Sequence, residues 1–374
     1  MKKRTILLSA LLIAALLIGT AAAAGGDAGD PLISLNYLKT VFAPAAEEEV
    51  QDAIDAAGKT VYGAAEASWR TAVAQVNPTS ETKRVNVWTE GRLKHGDTLS
   101  GLTGTQVMTL AGSLSAQFSS GAVIDVTDGT ALPSGGELKA RHRYLVAEDT
   151  NARFTVVSRT AVIEYCGDYR FSLSGATPDY NAMASALKTL NLFKGTDTAY
   201  GEGFDLELTP TRMQALVMLI RLLGEEDEAL ACTSPAPFKD IAADYWGRPY
   251  VAYAFEKGYT NGVEDNKFAP ERAVNAGMYI EFVLRALAYS DTTQTDVSTA
   301  AQRALTAGVL TSGEKTVLEM NSFLRADIVY LSWYALDVPV ATNMQPLRQK
   351  LQDAGVFTAS DYRSARAMVT SARL

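Results

Sequence analysis

Acid–base chemistry is the first activity the side chains could support. The chain has two histidines, and each stands near carboxylates: His95 beside Asp97, and His142 ahead of Glu148 and Asp149. Such a pair can move a proton near neutral pH, but catalysis also needs a nucleophile or second acid at a meaningful spacing. Neither pair has one, so both read as surface turns. Glycoside cleavage would need two carboxyls facing one sugar. Asp125, Asp128, Glu137, Glu148, Asp149 and Glu164 are scattered without such a pairing. Cys166 and Cys232 are the only cysteines and lie far apart, and no Cys or His stands at metal-ligand spacing from either imidazole. These residues call for no metal, no cofactor and no disulfide scaffold.

The elements that would position a site begin with a leader. Lys2, Lys3 and Arg4 precede an apolar run from Ile6 to Ile18 and a small-residue stretch from Ala21 to Ala24. That order reads as a secretory signal peptide over 1–24, the other reading being an uncleaved anchor. The formal net charge of −8 argues against nucleic acid and anionic lipid as partners, since both attract basic surfaces. A mature chain of roughly 350 residues is long enough for two or three domains, and 47% hydrophobic residues can fill their cores.

Residues 25–83 read as a spacer followed by a helix over 45–75, with Val50, Ala53, Ile54 and Ala57 on one face. Over 84–170 the texture turns to β. Runs rich in β-branched residues at 84–88, 106–110, 122–127, 153–157 and 160–165 are separated by glycine-bearing turns, which predicts a small antiparallel sandwich or barrel. After a Ser/Gly/Pro linker at 171–180, three helix–loop–helix units follow over 171–230, 231–290 and 291–340, with a helical tail at 341–374. First helices stop near Gly195, Gly258 and Gly308, where a left-handed cap favours glycine. Second helices begin after Pro210, after Pro270 and around Phe323. Their apolar stripes cannot be buried within one pair, so the three units must pack into one body. The fold class is multidomain α+β.

The middle unit carries a specific pattern. Phe238-Lys239-Asp240, Trp246, Gly258, Gly262, Phe268-Ala269-Pro270 and Leu284-Arg285-Ala286-Leu287 occur in order, and the unit resembles an S-layer homology (SLH) module. The flanking units match more weakly, through Thr211-Arg212-Met213-Gln214 and Leu324-Arg325-Ala326-Asp327. The layout is similar to that of exported Firmicutes surface proteins with three SLH repeats at the C-terminus. The resemblance implies a three-pronged, pseudo-threefold helical body that binds secondary cell-wall polysaccharide, with or without pyruvyl groups, or another peptidoglycan-associated glycan. It implies Arg212 and Arg325 as ligands for a sugar carboxylate, with Asp240 and Trp246 lining a groove. A guanidinium at a helix start opposes the macrodipole, which favours a special role; pairing with a neighbouring carboxylate is the other reading. Trp246 could equally plug an interface between prongs, and Asp240 could cap the helix after it. The middle unit departs from the family pattern, having Asn275-Ala276 where an arginine is expected; Arg272, four positions earlier, is a conceivable substitute. The chain reads as a wall-attached surface protein displaying a non-catalytic β module. The alternative is an SLH-tethered glycan hydrolase with its active site in the N-terminal part.

Overall fold

The computed structural model describes residues 85–175, 177–198, 201–290 and 296–374, with isolated positions 46, 56, 59 and 60. The expected leader, the spacer and nearly all of the helix over 45–75 lie outside the described residues. The elements below belong to one compact unit, Ala57–Leu374.

Alternation builds the β region. The strands are β1 (Val85–Lys94), β2 (Thr98–Gly101), β3 (Gln106–Ala111), β4 (Leu114–Gln117), β5 (Val123–Asp125), β6 (Thr130–Leu132), β7 (Arg143–Val146), β8 (Ala152–Val156), β9 (Thr160–Gly167) and β10 (Tyr169–Ser172). They form two antiparallel sheets, ordered β1-β9-β3-β7-β5-β6 and β10-β2-β8-β4. Leu99, Leu114 and Phe154 of the smaller sheet and Val107, Tyr144 and Ile163 of the larger share one buried apolar cluster. Period-two patterning puts those residues on inner faces and leaves polar ones outside. The five β-branched runs became β1, β3, β5, β8 and β9. The short strands β2, β4, β6, β7 and β10, of three or four residues each, carry too weak a local pattern to be read from the sequence. The linker is shorter than expected: β10 runs to Ser172, and Asp179 already caps the next helix by accepting from the Ala182 amide.

The helical region comprises α1 (Tyr180–Thr189), a small hairpin of β11 (Thr196–Thr198) and β12 (Gly201–Gly203), then α2 (Arg212–Leu222), α3 (Glu226–Leu230), α4 (Arg248–Glu256), α5 (Ala276–Ala286), α6 (Ala300–Thr306), α7 (Ser312–Met320), α8 (Arg325–Ala335), α9 (Leu347–Asp353) and α10 (Ala359–Met368). α2 and α8 are buried on nearly every face rather than along a stripe, because each is surrounded by other helices. Gly258 and Gly308 stop α4 and α6 in the left-handed region, at φ 75° and 72°. At the first stop the left-handed residue is Asn191, at φ 60°, not Gly195; Asn tolerates that conformation better than other side chains.

Loops of one unit pin helix starts of another. The amides of Arg212 and Met213 donate to the carbonyls of Arg272 (2.8 Å) and Pro270 (3.0 Å), and Val274 N–H returns a bond to Pro210. The amides of Arg325 and Ala326 likewise donate to Leu208 (2.9 Å) and Leu206 (3.0 Å). The start of α5 is held differently. Gly277 there lies so close to the Val297 carbonyl that a Cβ would stand 2.4 Å from its oxygen. Two of the three helix starts thus share one geometry. Glu281 of α5, buried, receives Arg285 of its own helix at 2.7 Å and Arg303 of α6. The β region is tied to the helices by Arg159, in the β8–β9 turn, which pairs with the buried Asp327 of α8.

Candidate functional site

Arg212 is the most unusual charged residue. Thr211 and Gln214 form a capping box that starts α2 at Arg212. The guanidinium is then enclosed, with the residue only 4% exposed, between the rings of Phe268 (5.1 Å) and Phe282 (4.7 Å). Nη2 donates to the Thr260 hydroxyl at 3.1 Å and the Gly262 carbonyl at 3.3 Å, while the buried Nε has no acceptor. No carboxylate among the described residues pairs with it. Burial, then the positive charges of Arg272 and Arg285, push its pKa down to about 10. A buried cation with like-charged neighbours and no counter-ion is costly unless an anion joins it. Two aromatic faces offset part of that cost.

Asp240 bears on the same junction. Both carboxylate oxygens of Asp240 are engaged, accepting the amides of Phe268 and Ala269 at 2.8 Å each. Asp240 therefore clamps the loop that carries the Phe268 ring, and it does not cap the following helix, whose N-cap is Gly247. Trp246 is 61% exposed, flanked by Tyr245 and Tyr250, so it does not plug an interface. Gly247, next to it, packs so closely on Met213 that a Cβ would lie 2.6 Å from that side chain. The Tyr245 hydroxyl reaches Glu271, the neighbour of Arg272. The residues on either side of Trp246 thus pack on the neighbours of Arg212 and Arg272, while the indole itself is exposed.

Arg325 lies at a separate junction. It is 5% exposed, donates from Nε to the Phe204 carbonyl at 3.2 Å, and sits 6.0 Å from the Phe193 ring. Burial lowers its pKa, with Asp205 acting in the opposite sense. Its charge is therefore partly answered, unlike that of Arg212. At the third helix start Asn275 caps α5 by accepting from the Met278 amide at 2.9 Å, and no guanidinium is present. Arg272 instead joins the Arg212 junction. Thr260, Gly262, Phe268 and Phe282 completed that junction without being singled out as partners of Arg212; the Gly258-to-Gly262 spacing around Thr260 was their available signal.

In the β region the histidines found other partners than their sequence neighbours. His95 Nδ1 faces the Val157 and Ser158 carbonyls, and Asp97 serves Lys94 and the Ser174 amide. His142 meets Asp125 at 2.8 Å, with Asp128 at 3.7 Å, rather than Glu148 or Asp149. These three could hold a cation by distance. However, Asp125 Oδ1 already takes the Thr127 and Asp128 amides, and Lys139 neutralises Asp128. The cluster locks the β5–β6 turn. Burial works to raise the Asp125 pKa, but the hydrogen bond from His142, the Asp128 amide, the His142 charge and the Thr127 amide together hold it below 3.8. A depressed folded value means that its stabilisation is present above the unfolded pKa and is lost as pH falls through the folded one. Asp125→Asn should therefore flatten the acid-unfolding profile below about pH 4, as followed by circular dichroism. Cys166 and Cys232 are both free thiols.

A protein named "Cell surface protein" from Thermoanaerobacter kivui is 31% identical over 114 residues, a match that takes in 30% of this chain. The chain spans 14% of the length of that curated relative. The S-layer homology domain matches residues 237–275. The stretch that brings Thr260, Gly262 and Phe268 to Arg212, and that contains Asp240 and Trp246, is thus the part of the chain similar to the S-layer homology domain.

Proposed function

We propose that the chain is an exported surface protein held non-covalently on the cell wall by its helical body, which binds an acidic wall glycan. The observation that carries this reading is the buried guanidinium of Arg212, held between Phe268 and Phe282 with no carboxylate partner among the described residues, in a helical region that also exposes the indole of Trp246. A forked guanidinium suits a carboxylate, such as the pyruvyl ketal of a secondary cell-wall polysaccharide, and an indole face suits the apolar side of a sugar ring. The match to the S-layer homology domain, whose members generally bind cell-wall glycans, supports the same partner. The name of the Thermoanaerobacter relative supports a surface location. Among the described residues no helix is long and apolar enough to cross a membrane. Export rests on the leader read at 1–24, and three repeats of the domain on the weaker patterns around Arg212 and Arg325. The β module is a displayed, non-catalytic element in this reading.

Arg212→Met separates ligand binding from folding. Methionine fills similar space without a buried charge, and apolar replacement of buried charge is often neutral or stabilising. The full-length variant should melt at or above the wild-type temperature, yet bind purified sacculi at least tenfold more weakly, about 1.4 kcal/mol. Arg325→Met should have a smaller effect, because Asp205 already answers part of that charge. Sacculi stripped of secondary polysaccharide, or depyruvylated, should lose the wild-type interaction. Undiminished pelleting of an Arg212→Met/Arg325→Met double variant would remove the arginines from the site.

A further inference from the structure

The outer face of the β10-β2-β8-β4 sheet is built from two transverse rows. Strand register aligns Arg170, Ser100, Arg153 and Gln117 in the first, and Ser172, Thr98, Thr155 and Ser115 in the second. The inner face opposite is apolar, with Phe171, Leu99, Phe154 and Ala116 in one row. Partners in an antiparallel register point to the same side, so the hydroxyls, the amide and the two guanidinium groups share one surface. Glu137, bridged to Ser115, is a carboxylate at the end of the second row and lies outside the arginine row. Neither Arg153 nor Arg170 makes an ion pair with a described residue. At one end the face sinks into an open cleft of about 610 Å³, lined by Ser100, Gln117, Phe118, Ser119, Asn151 and Arg153 among others. The Ser134 hydroxyl braces its wall through both main-chain groups of Phe118, at 2.7 and 3.0 Å. Ligand pockets usually measure about 300–1,000 Å³.

We infer that this sheet face is a second binding site, which takes an anionic glycan along the row Arg170–Ser100–Arg153–Gln117 and into the cleft beside Phe118. The ladder bonds of β2 and β8 are satisfied on both sides within the sheet, so recognition there rests on side chains, not on strand addition by a peptide. Hydroxyl and amide heads match a hydroxyl-rich ligand, and two guanidinium groups on a chain of net charge −8 select for negative charge locally. Nucleic acid fits less well. Its affinity depends on many neutralised phosphates, against which the acidic remainder of the chain acts.

The test uses the full-length protein with four probes in calorimetric titration: tetragalacturonate, a glycerol phosphate oligomer, neutral maltotetraose and a short DNA duplex. Binding of either acidic oligomer that persists in Arg212→Met, and that adding Arg153→Gln/Arg170→Gln to that variant reduces at least tenfold, is the expected result. The first two probes distinguish carboxylate from phosphate as the source of charge. Both substitutions are at exposed sheet positions, and an unaltered melting temperature would confirm that folding is intact. Equal affinity after that addition, equal binding of maltotetraose, or equal binding of the DNA duplex would overturn the inference. Loss of binding in Arg212→Met would overturn it too, by moving the ligand to the helical body.

Discussion

Gly262→Ala is expected to destabilise the helical body by about 2–5 kcal/mol, from a left-handed conformation that costs about 1–2 and a steric conflict that costs about 1–3. Gly262 sits at φ 79°, and a Cβ there would stand 2.3 Å from the Phe238 ring and 2.5 Å from the Lys267 carbonyl. Neither neighbour can yield, because Phe238 is buried against Phe268 and Lys267 is bonded to Val263 through main-chain atoms. The consequence reaches the site directly. The Gly262 carbonyl is one of two acceptors that orient Arg212, and its amide donates to Thr260, the other. Thermal or urea denaturation should show the loss, and sacculus binding should fall with it at temperatures where the variant is still folded. Gly308→Ala is the control. It has a similar φ of 72° but nothing within 4 Å of the added methyl, so only the conformational part, about 1–2 kcal/mol, should appear. Equal losses at the two positions would show that packing around Gly262 is less rigid than the contacts imply.

Arg159→Ala is expected to be strongly pH-dependent. Asp327 is 3% exposed, and burial raises its pKa to about 6, even though Arg159 and the Leu324 amide act to lower it. A carboxyl whose folded pKa exceeds its unfolded value of 3.8 contributes stability when protonated. That contribution is fully present below about pH 4 and is lost as pH rises through about 6. Removing Arg159 takes away the partner that makes the ionised form tolerable. At pH 7 the variant should lose about 3 kcal/mol, the lower end of the cost of orphaning a buried charge, because Arg159 itself is partly solvated. At pH 5 the loss should shrink, leaving chiefly the bonds to Ser322 and Asp327. Melting curves at the two pH values make the comparison. Asp327→Asn should remove the dependence between pH 4 and 6 while keeping a side-chain acceptor for the Leu324 amide. A pH-independent loss in Arg159→Ala would show that the pair is solvated enough to ignore.

Local pattern revealed much of the architecture, and revealed the site less well. β-branched runs marked five strands because a two-residue alternation of buried and exposed positions leaves a direct trace. Three- and four-residue strands such as β6 and β10 leave little trace, and their pairing is decided by neighbours. Gly258 and Gly308 announced helix stops through a conformation that other residues resist, while Asn191 took the same role at the first stop with a weaker signal. Arg212 stood out as a cation at a helix start. Its burial between Phe268 and Phe282 did not, because those rings come from 56 and 70 residues away in the chain. Asp240 stands in the family pattern, but its clamp on the Phe268 loop is invisible locally, since both of its oxygens accept amides 28 and 29 residues along the sequence.

The sequence by itself determined the order of a β region followed by helices, the spacing of the module around Phe238 to Pro270, and the placing of arginines at two helix starts. Each of these follows from near-neighbour rules: alternation, helical period, and the backbone demands of glycine and proline. Tertiary structure decided which charges are answered. Arg325 shares its surroundings with Asp205, Asp327 receives Arg159 from the β region, and Arg212 receives no carboxylate from the described residues. Charge balance in a low-dielectric interior depends on what packs within a few ångströms, and sequence spacing does not encode that distance.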